Sequence, residues 1–200
     1  MKNTSFFRDG KVYFYWGCSN LTPIWGAEIN PADMKPTMEP VELIRSNQSV
    51  IGYERNGEHH IAPPQSPERI EELVQLTASK MSDVTEEMLS RLRVVFSNEP
   101  YIEGAWMDKH NGKYYLQYAS PATQYNTYSD GVYVSEHPLG PFTLAINNPY
   151  SYKQRGSITG AGHGSTMKDR HRNYWHASSM RISVNHRFER RLGVWPAGFD

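Results

Sequence analysis

The dipeptide Asn111-Gly112, followed at once by Lys113-Tyr114-Tyr115-Leu116-Gln117-Tyr118, constrains this 200-residue chain more than any other stretch. Asn-Gly is a strong hairpin signal, because both residues tolerate the positive φ of a tight turn between antiparallel strands. The aromatic run behind it reads as a strand, and so does the bulky run Ala105-Trp106-Met107 ahead of it. Asp9-Gly10-Lys11-Val12-Tyr13 and Arg172-Asn173-Tyr174-Trp175 open aromatic strands in the same way. In chain order, the second and third of these units lie about 60 residues apart. The first two lie about 100 apart, and setting aside roughly 40 residues of different character restores about 60. A repeat of that length fits a four-stranded propeller blade. The chain supplies two such units and most of a third, whereas a propeller closes with at least four blades. The expected fold is therefore all-β, an incomplete propeller of about three blades over residues 1–200, part or remnant of a longer protein.

Residues 45–98 break the β pattern. Residues 54–65 are polar, with His59-His60 and Pro63-Pro64. Ser66-Pro67 then offers an N-cap with proline at the first helical position. Ile70, Leu73, Val74 and Thr77 follow helical spacing, and Asp83 with Glu86 resembles a capping box ahead of Val84, Met88 and Leu92. This predicts helix over residues 67–92, inside a helical insertion spanning about 54–97. Elsewhere short strands are expected over 24–29, 41–44, 101–118, 132–146 and 174–194, with Asp130-Gly131 leading into Val132-Tyr133-Val134.

Twenty-one basic residues balance 21 acidic ones, and no block of five like charges occurs. Nucleic acid and anionic membranes are thus not expected partners, since both require a positive field. No apolar run reaches 18 residues, and the N-terminal residues lack the apolar core of a signal peptide. Cys18 is the single cysteine, which excludes an internal disulfide. Adjacent histidines point apart and His59-His60 has no evident carboxylate partner, so no metal site is expected there. Thirteen Tyr, five Trp and seven Phe suit either strand cores or a surface for sugars, whose C–H faces pack on rings.

Two side chains carry candidate chemistry. Glu103 sits beside a glycine at the start of the strand that leads into the hairpin, flanked by Trp and Tyr. A carboxyl there suits proton donation in a partly desolvated pocket, although a surface or ion-paired glutamate carries the same signature. His163 lies between Gly162 and Gly164 in the run 157–165, which lacks the phosphate-cradling pattern and is expected to let backbone approach a ligand or a neighbouring strand.

Residues 9–20 (DGKVYFYWGCSN), 103–119 (EGAWMDKHNGKYYLQYA), 130–142 (DGVYVSEHPLGPF) and 158–200 together resemble glycoside hydrolase family 43. The resemblance runs from residue 4 to 200 and leaves the helical insertion uncovered. It implies a five-bladed propeller whose funnel holds a general-base Asp, a pKa-tuning Asp and a general-acid Glu. Glu103 matches the acid; Asn3 stands where the tuning Asp is expected; the blade carrying the base is absent. His163 matches the family's GHG histidine, which supports the site and in some members holds a water or a calcium ion, no cofactor being required. Arg181 loosely matches an arginine of the fifth blade, and Trp16, Trp106 and Tyr128 are candidate sugar-facing rings. The resemblance implies an inverting glycosidase of the xylosidase or arabinofuranosidase kind, acting on plant-type carbohydrates and commonly secreted or periplasmic. The alternative is a non-catalytic sugar-binding or degenerate propeller piece. Self-association through unpaired blades is expected of so open an array.

Overall fold

The computed structural model describes residues 4–8, 10–183 and 185–199, so Asn3 lies outside the described residues. The structure is mostly β, with two helices and three separate antiparallel sheets. Strands β1 (Thr4–Arg8), β2 (Lys11–Trp16), β4 (Ile24–Ile29) and β5 (Val41–Ile44) form the first sheet, in the order β1-β2-β4-β5. The short β3 (Cys18–Ser19) leaves that sheet and pairs instead with β6 (Ile102–His110). The second sheet continues through β7 (Lys113–Ser120), β8 (Ser129–Ser135) and β10 (Ser151–Tyr152), with β9 (Thr143–Leu144) also on β8. The third contains β11 (Thr159–Lys168), β12 (Tyr174–Ser183) and β13 (His186–Ala197) in sequence order.

Asn111 and Gly112 take positive φ, as the hairpin reading requires, and pair Met107 with Leu116 and His110 with Lys113. Alternation along the strands sends one set of side chains into the core. Tyr15, Ile24, Ile44, Ile102, Ala105, Met107, Leu116 and Tyr118 form it, joining the first sheet to the second. Asp130-Gly131 lies within β8 rather than ahead of it. Glycine is required at 131 because a Cβ would run into the Tyr53 hydroxyl and the Tyr118 ring.

Helix α1 (Pro67–Ala78) starts as the sequence reads, with the Ser66 hydroxyl accepting from the Arg69 amide at 3.2 Å. Helix α2 (Glu86–Phe96) starts two residues later than the Asp83 reading. Thr85 is the cap, accepting from the Met88 amide at 3.2 Å, while Asp83 turns the chain at φ 53°. Residues 79–85 thus interrupt the predicted helix. Arg93 joins the two helices through Glu71 at 3.0 Å and reaches Glu86 at 2.8 Å.

The stretch before the helices is pinned to the second and third sheets. Glu54, fully buried in the turn Gly52–Glu54, accepts bonds from the Tyr118 hydroxyl at 2.6 Å and the Asn47 amide at 2.5 Å. Glu58, in the turn Glu58–His60, holds Arg181 of β12. Part of the same face of the third sheet is open: Met167, Phe188, Leu192 and Val194 are all exposed.

Candidate active site

Strand register brings Glu103 to a wall. Cys18 and Glu103 are directly opposed in the β3–β6 pair, and opposed residues of an antiparallel pair project to the same side. The register between Glu103 and Trp106 is irregular, and Gly104 takes φ +67° there. A Cβ at 104 would lie 2.8 Å from the His163 ring, so the glycine lets the imidazole reach the carboxyl. His163 Nδ1 stands 3.7 Å from Glu103 Oε1, across 60 residues of chain. Both line a cleft of about 450 Å³ with Cys18, Tyr128, Phe188 and Arg190.

His163 is held in its own positive-φ conformation, at 57°. Its amide donates to Asp130 Oδ1 at 2.7 Å, and the Gly164 amide donates to Oδ2 at 3.0 Å. His176 Nε2 meets the same Oδ2 at 3.0 Å. Asp130 and His176 are buried, so a carboxylate between two sheets clamps the irregular stretch of β11 that aims His163. A satisfied polar network of this kind fixes one geometry, because each unmade bond in a low dielectric is expensive.

The Glu103 carboxyl receives the buried Tyr128 hydroxyl at 2.7 Å on Oε1 and the Cys18 thiol at 3.3 Å on Oε2. Burial works to raise its pKa, but His163, the Tyr128 hydroxyl and the Cys18 thiol outweigh burial and hold it at about 2. At 3.7 Å the imidazole acts as a nearby charge rather than a hydrogen-bond donor, and only when protonated. In return, burial and then the adjacent carboxylate push the Cys18 thiol up to about 11. Glu103 is the only carboxylate among the described residues that line the cleft.

The other expected site residues are placed differently. Tyr128 reaches the cleft but is 2% exposed, so it presents its hydroxyl to Glu103 rather than a ring face to a ligand. Trp16 stacks on Phe14 at 5.5 Å, Trp106 donates to Asp108 at 3.0 Å, and neither lines the cleft. Arg181 is 2% exposed, with its guanidinium on Glu58 and the Gln124 carbonyl. It is a buried ion-paired strut, not a ligand-facing group. The cleft-facing arginine is Arg190, opposite Arg181 in the β12–β13 register and bonded to Thr123 Oγ1 at 2.9 Å. The sequence reading missed Arg190 and Cys18; the period-2 alternation of β13, which sends Phe188, Arg190 and Leu192 to one face, is the signal that finds the first.

Among the described residues no group of three or more His, Cys, Asp or Glu side chains is placed to hold a metal ion. His163 Nε2 is buried with no hydrogen-bond partner. A calcium ion demands six to eight oxygen ligands, and Glu103 alone does not supply that shell. The residues present do not fit calcium there.

Several solved glycoside hydrolases share this arrangement of sheets. A thermostable family-43 glycoside hydrolase aligns with 100% of this chain and 55% of its own, at 19% identity and a TM-score of 0.70. A xylan beta-1,4-xylosidase from Bacillus halodurans C-125 aligns with 100% of this chain and 31% of its own, at 13% identity and a TM-score of 0.65. In sequence, a xylosidase/arabinosidase of Bacteroides ovatus is 26% identical over 144 residues, 68% of this chain. Glycosyl hydrolases family 43 matches residues 52–194, and the chain belongs to that family. The matched span takes in the two helices, which the sequence reading left outside the resemblance. The chain spans 36% of that curated relative and about half or less of the two solved ones.

Proposed function

We propose that this chain carries the general-acid side of an inverting glycosidase site, with Glu103 as the acid, in a five-bladed propeller that acts on xylosides or arabinosides. The observation that supports it is the half-buried Glu103 at the wall of the cleft, supported by Tyr128 and faced by His163. A carboxyl so held can deliver a proton to a leaving oxygen from one fixed direction. Arg190 offers N–H donors to sugar hydroxyls, and Phe188 offers a ring at the cleft.

Inversion needs a second carboxylate, about 6.5–9.5 Å from the first, to activate water on the opposite face. Among the described residues that line the cleft none supplies that base or a carboxylate to lift Glu103 by like-charge repulsion, so this reading requires both from elsewhere. The sugar class proposed is that of the xylosidase and xylosidase/arabinosidase relatives, and a water, not calcium, is the proposed neighbour of His163. The test is turnover of aryl xylosides and arabinofuranosides by a polypeptide extended to the full family length. Glu103→Gln should abolish turnover where the leaving group is poor and spare it where the leaving group is good. Equal turnover by Glu103→Gln on poor leaving groups would remove Glu103 from the acid role.

One observation favours a second reading. A carboxyl at about 2 is ionised at neutral pH, which suits accepting bonds from a bound sugar better than donating a proton. A chain that binds xylo- or arabino-oligosaccharides in calorimetry, with no turnover even at full family length, would establish that reading.

A further inference from the structure

The two oxygens of Glu103 are not equivalent. Oε1 accepts the Tyr128 hydroxyl at 2.7 Å and faces His163 Nδ1 at 3.7 Å. Among the described residues Oε2 accepts one hydrogen bond, from the Cys18 thiol at 3.3 Å, and Cys18 is exposed to the cleft. A carboxylate oxygen offers two lone-pair directions. Each oxygen accepts one bond, a hydroxyl's on Oε1 and a thiol's on Oε2, and His163 Nδ1 lies nearest Oε1. The thiol is placed by backbone pairing, since Cys18 and Glu103 are direct cross-strand partners. A thiol is also a weak donor. It excludes water from one side of Oε2 without holding the negative charge there as firmly as a hydroxyl would.

We propose that Cys18 is a positioning residue for Glu103, its thiol marking Oε2 as the oxygen that takes up and delivers the transferable proton. This rests on the reading of Glu103 as the acid, while the coupling between the two side chains does not. The charged and titratable groups around the carboxyl are Cys18 on β3, Tyr128 ahead of β8, His163 on β11 and Arg190 on β13. Among the described residues, Cys18 is the hydrogen-bond partner of Oε2.

Coupling between two titrating groups is reciprocal, so it is measured from both ends. From the thiol side, the pH profile of iodoacetamide alkylation gives the Cys18 midpoint in the 200-residue chain. Glu103→Gln removes the facing charge and should lower that midpoint by about one unit, roughly a tenfold gain in thiolate below it. From the carboxyl side, carbon-13 shifts of labelled glutamate give the Glu103 midpoint. Cys18→Val should raise it by about half a unit or more, and Cys18→Ser, which restores a donor, should bring it back to the original value or below. Loss of strand packing alone would not be rescued by serine in this ordered way. Should Cys18→Val fail to fold, the Glu103→Gln alkylation profile still decides. Midpoints unmoved within about 0.2 units at both ends would overturn the proposal. Moved midpoints, with turnover at full family length indifferent to Glu103→Gln, would keep the coupling and overturn the proton-delivery role.

Discussion

Asp130→Asn tests the clamp that aims His163. In the present structure one carboxylate accepts from the His163 amide, the Gly164 amide and His176 Nε2, all away from water. An asparagine keeps one acceptor oxygen. Its amide nitrogen replaces the other oxygen and faces the Gly164 N–H, so that donor loses its partner; His176 can adapt by changing tautomer. The orphaned amide costs about 1–3 kcal/mol, and weakening the bond from the His163 amide from charge-assisted to neutral costs about 1 more. The expected loss is about 2–4 kcal/mol, concentrated in that stretch of β11. Native-state hydrogen exchange reads it locally: protection of the His163 and Gly164 amides should fall roughly 30- to 900-fold if local opening dominates. Protection unchanged within about threefold would show that the Gly-rich stretch holds His163 without Asp130 and would refute the clamp.

Four further outcomes are expected. Glu58→Ala leaves Arg181 buried with the Gln124 carbonyl and should cost about 3 kcal/mol in urea unfolding; a loss under about 0.5 would show that the guanidinium is satisfied elsewhere. Glu103 has a folded pKa of about 2 against an ordinary 4.5, so its ionised form contributes about 3 kcal/mol of stability. That contribution is fully present above about pH 4.5 and is lost as pH falls toward 2, and an acid-unfolding limb of the same depth in Glu103→Gln would contradict it. Gly104→Ala should displace the His163 imidazole and destabilise by about 1–2 kcal/mol from φ alone, seen as altered Glu103 and His163 resonances; an unperturbed pair would refute the steric account. The open face of the third sheet should make the 200-residue chain self-associate, and Leu192→Glu with Val194→Lys should shift it toward monomer in light scattering; an unchanged mass would place the contact elsewhere.

Local chemistry made much of this chain legible in advance. Asn111-Gly112 dictates a hairpin because few other dipeptides take its dihedral angles, and Ser66-Pro67 dictates a helix start because the cap and the fixed φ act within one turn. Glu103 stood out as a carboxyl among aromatic residues at the start of the hairpin strand, and His163 because glycines beside it are local signals of close approach. What the sequence could not settle depends on what each side chain meets once the sheets pack. Arg181 and Arg190 read alike along the chain, yet they are cross-strand partners with opposite fates: one is buried on Glu58, the other opens to the cleft. Trp16 and Trp106 are as aromatic as any sugar platform, and only packing turned them to Phe14 and Asp108. The same holds for acidity. Residue type gives Glu103 an ordinary carboxyl, whereas its low pKa comes from a tyrosine, a cysteine and a histidine that are 25, 85 and 60 residues away in the chain. Electrostatic interactions act through space, so their sum is decided only when the sheets come together.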